Sequence, residues 1–144
     1  MNKIHAYVER LHNPDLAILL IRIALGVVFI NAGWIKVTNI DMVITGFAQA
    51  GIPMALAYFV AYAEFIGGIA LVLGLAVRYV GIILAIIMAV AIYKAHWAAG
   101  FSLQNGGYEY VLVLLLGALS LITSGSGKYS IYSVCARFCK AKEQ

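Results

Sequence analysis

Residues 16–36 read LAILLIRIALGVVFINAGWIK, a mostly apolar stretch that is interrupted by one arginine, Arg22. A helix of roughly 20 apolar residues spans the hydrocarbon core of a bilayer. An arginine at the centre of such a helix costs roughly 2.5 to 3.5 kcal/mol on insertion, so it usually faces the bundle interior and has a partner there. This stretch therefore predicts a membrane-spanning helix with an inward-facing charge.

The composition extends this prediction to the whole chain. Of the 144 residues, 64% are hydrophobic and 11% are charged, and the mean hydropathy is +0.96. An average soluble domain is only about 45 to 50% apolar. The chain is predicted to be an all-α integral membrane protein without a separate soluble catalytic domain. Its net charge of +4 comes from residues that flank the spans, which excludes a nucleic-acid surface.

Four apolar segments predict a four-helix bundle. They cover residues 16–35, 54–75, 79–97 and 108–122, which gives a transmembrane domain over 1–125 and a basic cytoplasmic tail over 126–144. We expect the first segment to be a retained helix, not a signal peptide, because it is long and lacks a small-residue cleavage site. Helical spacing of apolar residues predicts a short interfacial amphipathic helix in the first outer loop, and glycines in residues 98–107 predict an irregular, turning segment.

The basic residues predict the orientation of the chain. Two lysines, Lys36 and Lys94, lie on one side of the predicted spans, while seven Lys and Arg residues lie in the termini and the second connection. Because Lys and Arg concentrate in cytoplasmic segments, both termini are predicted to be cytoplasmic. Trp34 and Trp97 then lie at the outer interface.

The charges inside the spans are the candidate functional residues. Arg22 and Glu64 lie at similar depth in two antiparallel helices, which predicts a buried ion pair. Helical spacing places each on a stripe with small residues that permit close packing: Arg22, Gly26, Phe29, Gly33 and Lys36 on the first helix, and Ala57, Ala61, Glu64, Gly68 and Leu71 on the second. The alternative is a purely structural pair that fixes the helix register.

An outer pocket is predicted next to this pair. On the last helix the spacing favours an inward face of Glu109, Val113, Leu116, Ser120 and Thr123, and on the third it places Ala85, Ala89 and His96 together. We expect Glu64, Glu109 and His96 to act as proton-transferring catalytic groups, and the ligand to be bound by Arg22, Lys36, Trp34 and Tyr62. The structural alternatives are headgroup contact for His96, capping for Glu109 and an aromatic belt for Tyr62.

Cys135 and Cys139 are four residues apart, which would place them on one face of a helix. On the cytoplasmic side they are expected to stay reduced, and we interpret the pair as having no function, with a weak metal half-site or a lipidation site as the alternatives. Spacings typical of haem, iron–sulfur or metal sites are lacking in the sequence.

Three segments together resemble one known family. They are RIALGVVFINAGWIK (22–36), GIPMALAYFVAYAEFIGGIALVLGLAVR (51–78) and the Glu109 helix ending in GSGKYS, and in this order and spacing the chain is similar to the DoxX family. The family's characteristic positions fall on Arg22, Gly26, Gly33, Lys36, Glu64, Gly67, Gly68, Gly74, Arg78 and Glu109.

The resemblance implies a bacterial inner-membrane protein linked to respiratory electron transfer or sulfur redox chemistry. The family is named after a subunit of an archaeal quinol oxidase with thiosulfate:quinone oxidoreductase activity, so quinone is the implied cofactor. Membrane lipid and either redox subunits or further copies of the chain are the expected partners. Two alternatives remain open, a noncatalytic subunit that assembles a larger complex and a small proton-coupled transporter, and the resemblance does not establish that the chain is itself an enzyme.

Overall fold

The structure, a computed structural model, describes residues 13–131, 133 and 134. These residues form helices and no strand, which confirms the all-α prediction. The five α-helices are α1 (Pro14–Thr38), α2 (Ile40–Gln49), α3 (Met54–Leu73), α4 (Val77–Ala91) and α5 (Glu109–Ser124). Cys135, Cys139 and most of the predicted tail lie outside the described residues.

Three of the helical segments are long and apolar enough to cross a membrane. They are α1, α3 and the continuous run Val77–Ala99, in which α4 is followed by a π-helical turn, Ile92–His96, and a 3-10 turn, Trp97–Ala99. α5 is also apolar but has only 16 residues, a length of about 24 Å. The bundle therefore consists of three helices of spanning length and one shorter helix.

The two predicted stripes of small and charged residues form the contact between α1 and α3. Arg22, Gly26, Phe29 and Gly33 are buried on α1, and all five predicted residues are buried on α3. A Cβ atom added at Gly68 would lie 2.6 Å from the backbone nitrogen of Ile30. Only a glycine fits there, so the antiparallel backbones of α1 and α3 approach each other closely.

α5 packs mainly on α4, but not through the predicted face. Val113 and Leu116 are 63% and 58% exposed, and the inward face of α5 carries instead Val111, Leu114, Ala118 and Leu121. On α4 the prediction is half right, since Ala85 is buried and Ala89 is not. The predicted face of α5 is wrong because lipid leaves the outer face of a membrane helix as apolar as the inner face, so the spacing of apolar residues does not distinguish the two.

The two ends of the bundle differ in structure. The terminal end, where α1 begins and α5 ends, has a tight α3–α4 connection at Gly74, whose φ of 77° is left-handed and suits glycine. The loop end carries α2, at the position of the predicted amphipathic helix, and a second loop over residues 100–107. This second loop turns through one 3-10 segment, Leu103–Asn105, as its glycines predicted.

Candidate functional site

A buried ion pair joins α1 and α3 near the loop end. Lys36 Nζ donates a hydrogen bond to Glu64 Oε2. The side chain of Glu64 is 2% exposed, whereas that of Lys36 is 30% exposed. Burying both charges of a pair is expensive, and the cost is offset only if each charge keeps its partner.

The predicted ion pair between Arg22 and Glu64 is wrong. Among the described residues Arg22 contacts no carboxylate; its guanidinium donates to four backbone carbonyls instead. The Nε atom donates to Leu71 O at 2.9 Å and Nη2 to Val72 O at 3.0 Å. The Nη1 atom donates to Ser126 O at 2.5 Å and to Tyr129 O at 3.1 Å.

The direction of the side chains explains this pairing. Every Cα–Cβ bond in a helix tilts toward the N-terminus of that helix. In antiparallel α1 and α3, Arg22 therefore points to the terminal end and Glu64 to the loop end, so the two diverge. Lys36 lies about 21 Å beyond Arg22 along α1 and points back toward Glu64, so these two converge.

The carbonyl cage around Arg22 holds the segment that follows α5 against the bundle. Lys128 adds a second attachment, since its backbone N–H donates to Asp15 Oδ1 at 3.0 Å and its Nζ lies 3.2 Å from Asp15 Oδ2. A Cβ atom at Gly74 would lie 2.5 Å from Arg22 Nη2, so glycine is also needed to admit the guanidinium. Arg22 thus connects α1 to the end of α3 and to the segment after α5, and its predicted ligand-binding role has no support in this position.

A cavity of about 840 Å³ lies at the loop end and includes the Lys36–Glu64 pair in its wall. All five α-helices and the second loop contribute to its lining, which is mostly apolar. Representative lining residues are Phe29 from α1, Phe47 from α2, Val60 from α3, Ile86 from α4 and Leu114 from α5. Ligand sites in proteins typically have this size and this combination of apolar walls with a few polar groups.

His96 also lines the cavity, in the π-helical turn that follows α4. Its Nδ1 atom lies 2.7 Å from the carbonyl oxygen of Gly106. A carbonyl only accepts hydrogen bonds, so Nδ1 is the protonated nitrogen in this contact, and in a neutral ring Nε2 is then an acceptor. The structure thus brings Glu64, Lys36 and His96 to one cavity, as predicted for these three.

Three other predicted residues do not line the cavity. Glu109 is exposed and accepts a hydrogen bond from the backbone N–H of Leu103 at 3.1 Å. Trp34 is 55% exposed and packs against Phe65, with 5.7 Å between ring centroids. Tyr62 is 49% exposed and lines a separate groove between α3 and α4. The prediction that these residues belong to the same pocket as Glu64 is therefore wrong.

Part of the cavity wall was not predicted from the sequence. Asn39, Met42 and Val43 reach the cavity from the start of α2, and Lys94 lines it from the turn after α4. The amphipathic pattern of α2 was visible, but its apolar face was assigned to the membrane interface. Residues that could cover a cavity produce the same spacing as residues that lie on lipid.

Comparison with known proteins identifies relatives of this chain. The family model described as DoxX matches residues 17–97, a range that includes Lys36, Glu64 and His96. A Bacillus subtilis protein named "Putative oxidoreductase CatD" is 33% identical over 112 residues, which are 78% of this chain and 81% of that protein. A Haemophilus influenzae protein named "Uncharacterized protein" is 34% identical over 61 residues, 42% of this chain and 40% of that protein. No solved structure matches the chain.

Proposed function

The chain belongs to the DoxX family, and on that premise we propose that it is a quinone-linked component of a membrane redox system that binds the quinone in the loop-end cavity. It works, in this proposal, in a bacterial inner membrane with both termini in the cytoplasm. The observation that supports the proposal most is the position of the Lys36–Glu64 pair in the wall of a mostly apolar cavity.

The residues of the cavity suit a quinone. A volume of about 840 Å³ admits a substituted ring, and the apolar walls match its hydrocarbon surface. A quinone also presents two carbonyl oxygens, which need hydrogen-bond donors when they leave water. Lys36 supplies such a donor, because its ammonium has three N–H groups and only one is used by Glu64.

A bound quinone accepts two electrons and two protons, which is the chemistry of a respiratory carrier. In our proposal Lys36 orients one carbonyl oxygen, and the Glu64 carboxyl group holds and passes a proton there. His96 transfers a proton at the outer side of the cavity, where the ring is only partly buried. Intramembrane carboxylates and histidines are the usual groups in such relays. The electrons come from a redox partner protein that docks on the bundle.

The name of the Bacillus subtilis relative, "Putative oxidoreductase CatD", agrees with a redox role and names no substrate. The two alternative functions receive less support from the geometry. The small-residue stripes that would contact an assembly partner are used in the α1–α3 contact. A proton-coupled transporter of this kind uses an unpaired carboxylate, whereas Glu64 is paired with Lys36.

Quinone that copurifies with the protein provides the test. The wild-type protein is purified from membranes in mild detergent, and extracted quinone is quantified by liquid chromatography. We expect quinone with the wild-type protein, a clear loss in Glu64→Gln and no loss in Glu109→Gln, a matched change at a carboxylate outside the cavity. Equal quinone in all three preparations, or none in any, contradicts the proposal.

A further inference from the structure

A second concavity lies on the lateral surface of the bundle, in the seam between α3 and α4. Its volume is about 430 Å³, and its lining extends from Tyr58 to Ala70 on α3, a distance of about 18 Å along the helix. No acidic or basic side chain lines it. We name this concavity the lateral groove.

The lateral groove lies next to the cavity. Phe59 lines both of them. On α4, Ile83 lines the groove and Ile86 lines the cavity, and residues three apart lie on the same helix face. The two spaces are therefore neighbours along one seam, with the aromatic ring of Phe59 in the wall that they share.

The absence of a side chain at Gly67 gives the groove its depth. Gly67 lies in its lining, and a Cβ atom there would already be 3.3 Å from Val80 Cγ1. Neighbouring positions on α3 carry the small Ala63 and Ala70, whereas Ile66 is 60% exposed at the edge. Small residues line the floor and larger ones the rim, a shape that accommodates a slender chain.

We infer that the lateral groove holds the hydrocarbon tail of the same ligand whose polar ring lies in the cavity. The inference rests on the proposed function and specifies its substrate class as a tailed quinone. The charged residues Lys36 and Glu64 face the ligand at the cavity end, whereas the groove is lined by apolar side chains and by the rings of Tyr58 and Tyr62. The groove faces the lipid side, so the ligand can enter from the bilayer while its tail stays in apolar surroundings.

Photolabelling in lipid nanodiscs tests this inference on the full-length protein. Two benzoquinone probes are used, one with a diazirine on the ring and one with a diazirine at the end of an alkyl tail. We expect the ring probe to label cavity residues such as Val60, and the tail probe to label Ile66, Ala70 or Ile83. Excess tailless benzoquinone should abolish both labels, because the tail occupies the groove only while the ring is bound.

One substitution blocks the groove, and a second serves as its matched control. Ala70→Phe fills the groove and should abolish groove labelling while cavity labelling by the ring probe persists. Val113→Phe adds the same ring on an exposed face of α5 and should change neither label. If the ring probe labels the cavity but the tail probe labels α5 and the groove alike, the groove holds only bulk lipid and the inference is overturned. If the ring probe labels no cavity residue, the proposed function fails as well.

Discussion

Removing the charge of Lys36 should destabilise the protein more than removing the charge of Glu64. The Lys36→Met substitution leaves the Glu64 carboxylate without its partner in a site where its side chain is 2% exposed. Breaking a buried pair in this way costs about 3 to 5 kcal/mol. The reverse change, Glu64→Gln, leaves an ammonium that is 30% exposed. Such a side chain can reorient toward water, so we expect a loss of only about 1 to 3 kcal/mol.

Replacing both charges distinguishes the effect of an unpaired charge from a general loss of packing. In the double variant Lys36→Met with Glu64→Leu no charge is left unpaired, and apolar replacement of a buried pair is often neutral or stabilising. We expect its free energy of unfolding to lie within about 1 kcal/mol of the wild-type value. Lys94→Met is the matched control. The Lys94 ammonium lies 5.8 Å from the Tyr93 ring centroid, and an exposed cation–π contact of this kind is worth about 0.5 to 1 kcal/mol.

Equilibrium unfolding in mixed detergent micelles, followed by circular dichroism, measures these differences. The expected order of destabilisation is Lys36→Met, then Glu64→Gln, with the double variant and Lys94→Met close to wild type. A double variant whose loss of unfolding free energy equals the sum of the two single losses would show that the two charges do not stabilise each other. So would a Lys36→Met protein as stable as Lys94→Met.

Three further predictions concern the supports of the site. Arg22→Lys should lower the free energy of unfolding by about 2 to 3 kcal/mol, because a single ammonium cannot donate to four carbonyls as the planar guanidinium does. It should also speed proteolysis within residues 125–130. Unchanged cleavage rates would contradict the carbonyl cage. Gly33→Ala should lower the free energy of unfolding by about 1 to 3 kcal/mol, because the added methyl group overpacks against α3. Gly46→Ala adds its methyl group in open space and should stabilise α2 by up to about 1 kcal/mol. Equal effects of the two substitutions would contradict the close α1–α3 contact. His96→Phe removes the hydrogen bond to the Gly106 carbonyl in the second loop. Amide hydrogen exchange in that loop should become faster, while exchange within α1 stays constant. A second loop that exchanges at the wild-type rate would show that this hydrogen bond does not hold the loop.

Much of the fold could be predicted from the sequence because apolar length and small-residue spacing directly reflect the bilayer. The α1 and α3 stripes were right since Gly26, Gly33 and Gly68 permit a backbone approach that larger residues prevent. The α5 face was wrong because apolar residues cover that helix on all sides. Periodicity identifies an inward face only where the outer face is polar.

The partners of the charged residues could not be predicted from depth alone. Two long side chains reach several ångströms along the helix axis, so the direction of the Cα–Cβ bond decides which charges meet. That direction pairs Lys36 with Glu64 and sends Arg22 to the terminal end. The carbonyls of Ser126 and Tyr129, which accept hydrogen bonds from Arg22, belong to a segment without regular periodicity, so no sequence pattern indicates them.

Quinone binding to the double variant Lys36→Met with Glu64→Leu is the most direct test of a quinone site at this ion pair, because the variant should fold normally without these two polar groups. The dissociation constant is measured by titrating quinone into nanodiscs that contain either protein. We expect the double variant to bind quinone at least about 10-fold more weakly than the wild-type protein, the loss expected for one hydrogen bond from a charged donor. Equal affinity in the folded double variant would show that the Lys36–Glu64 pair does not bind the quinone.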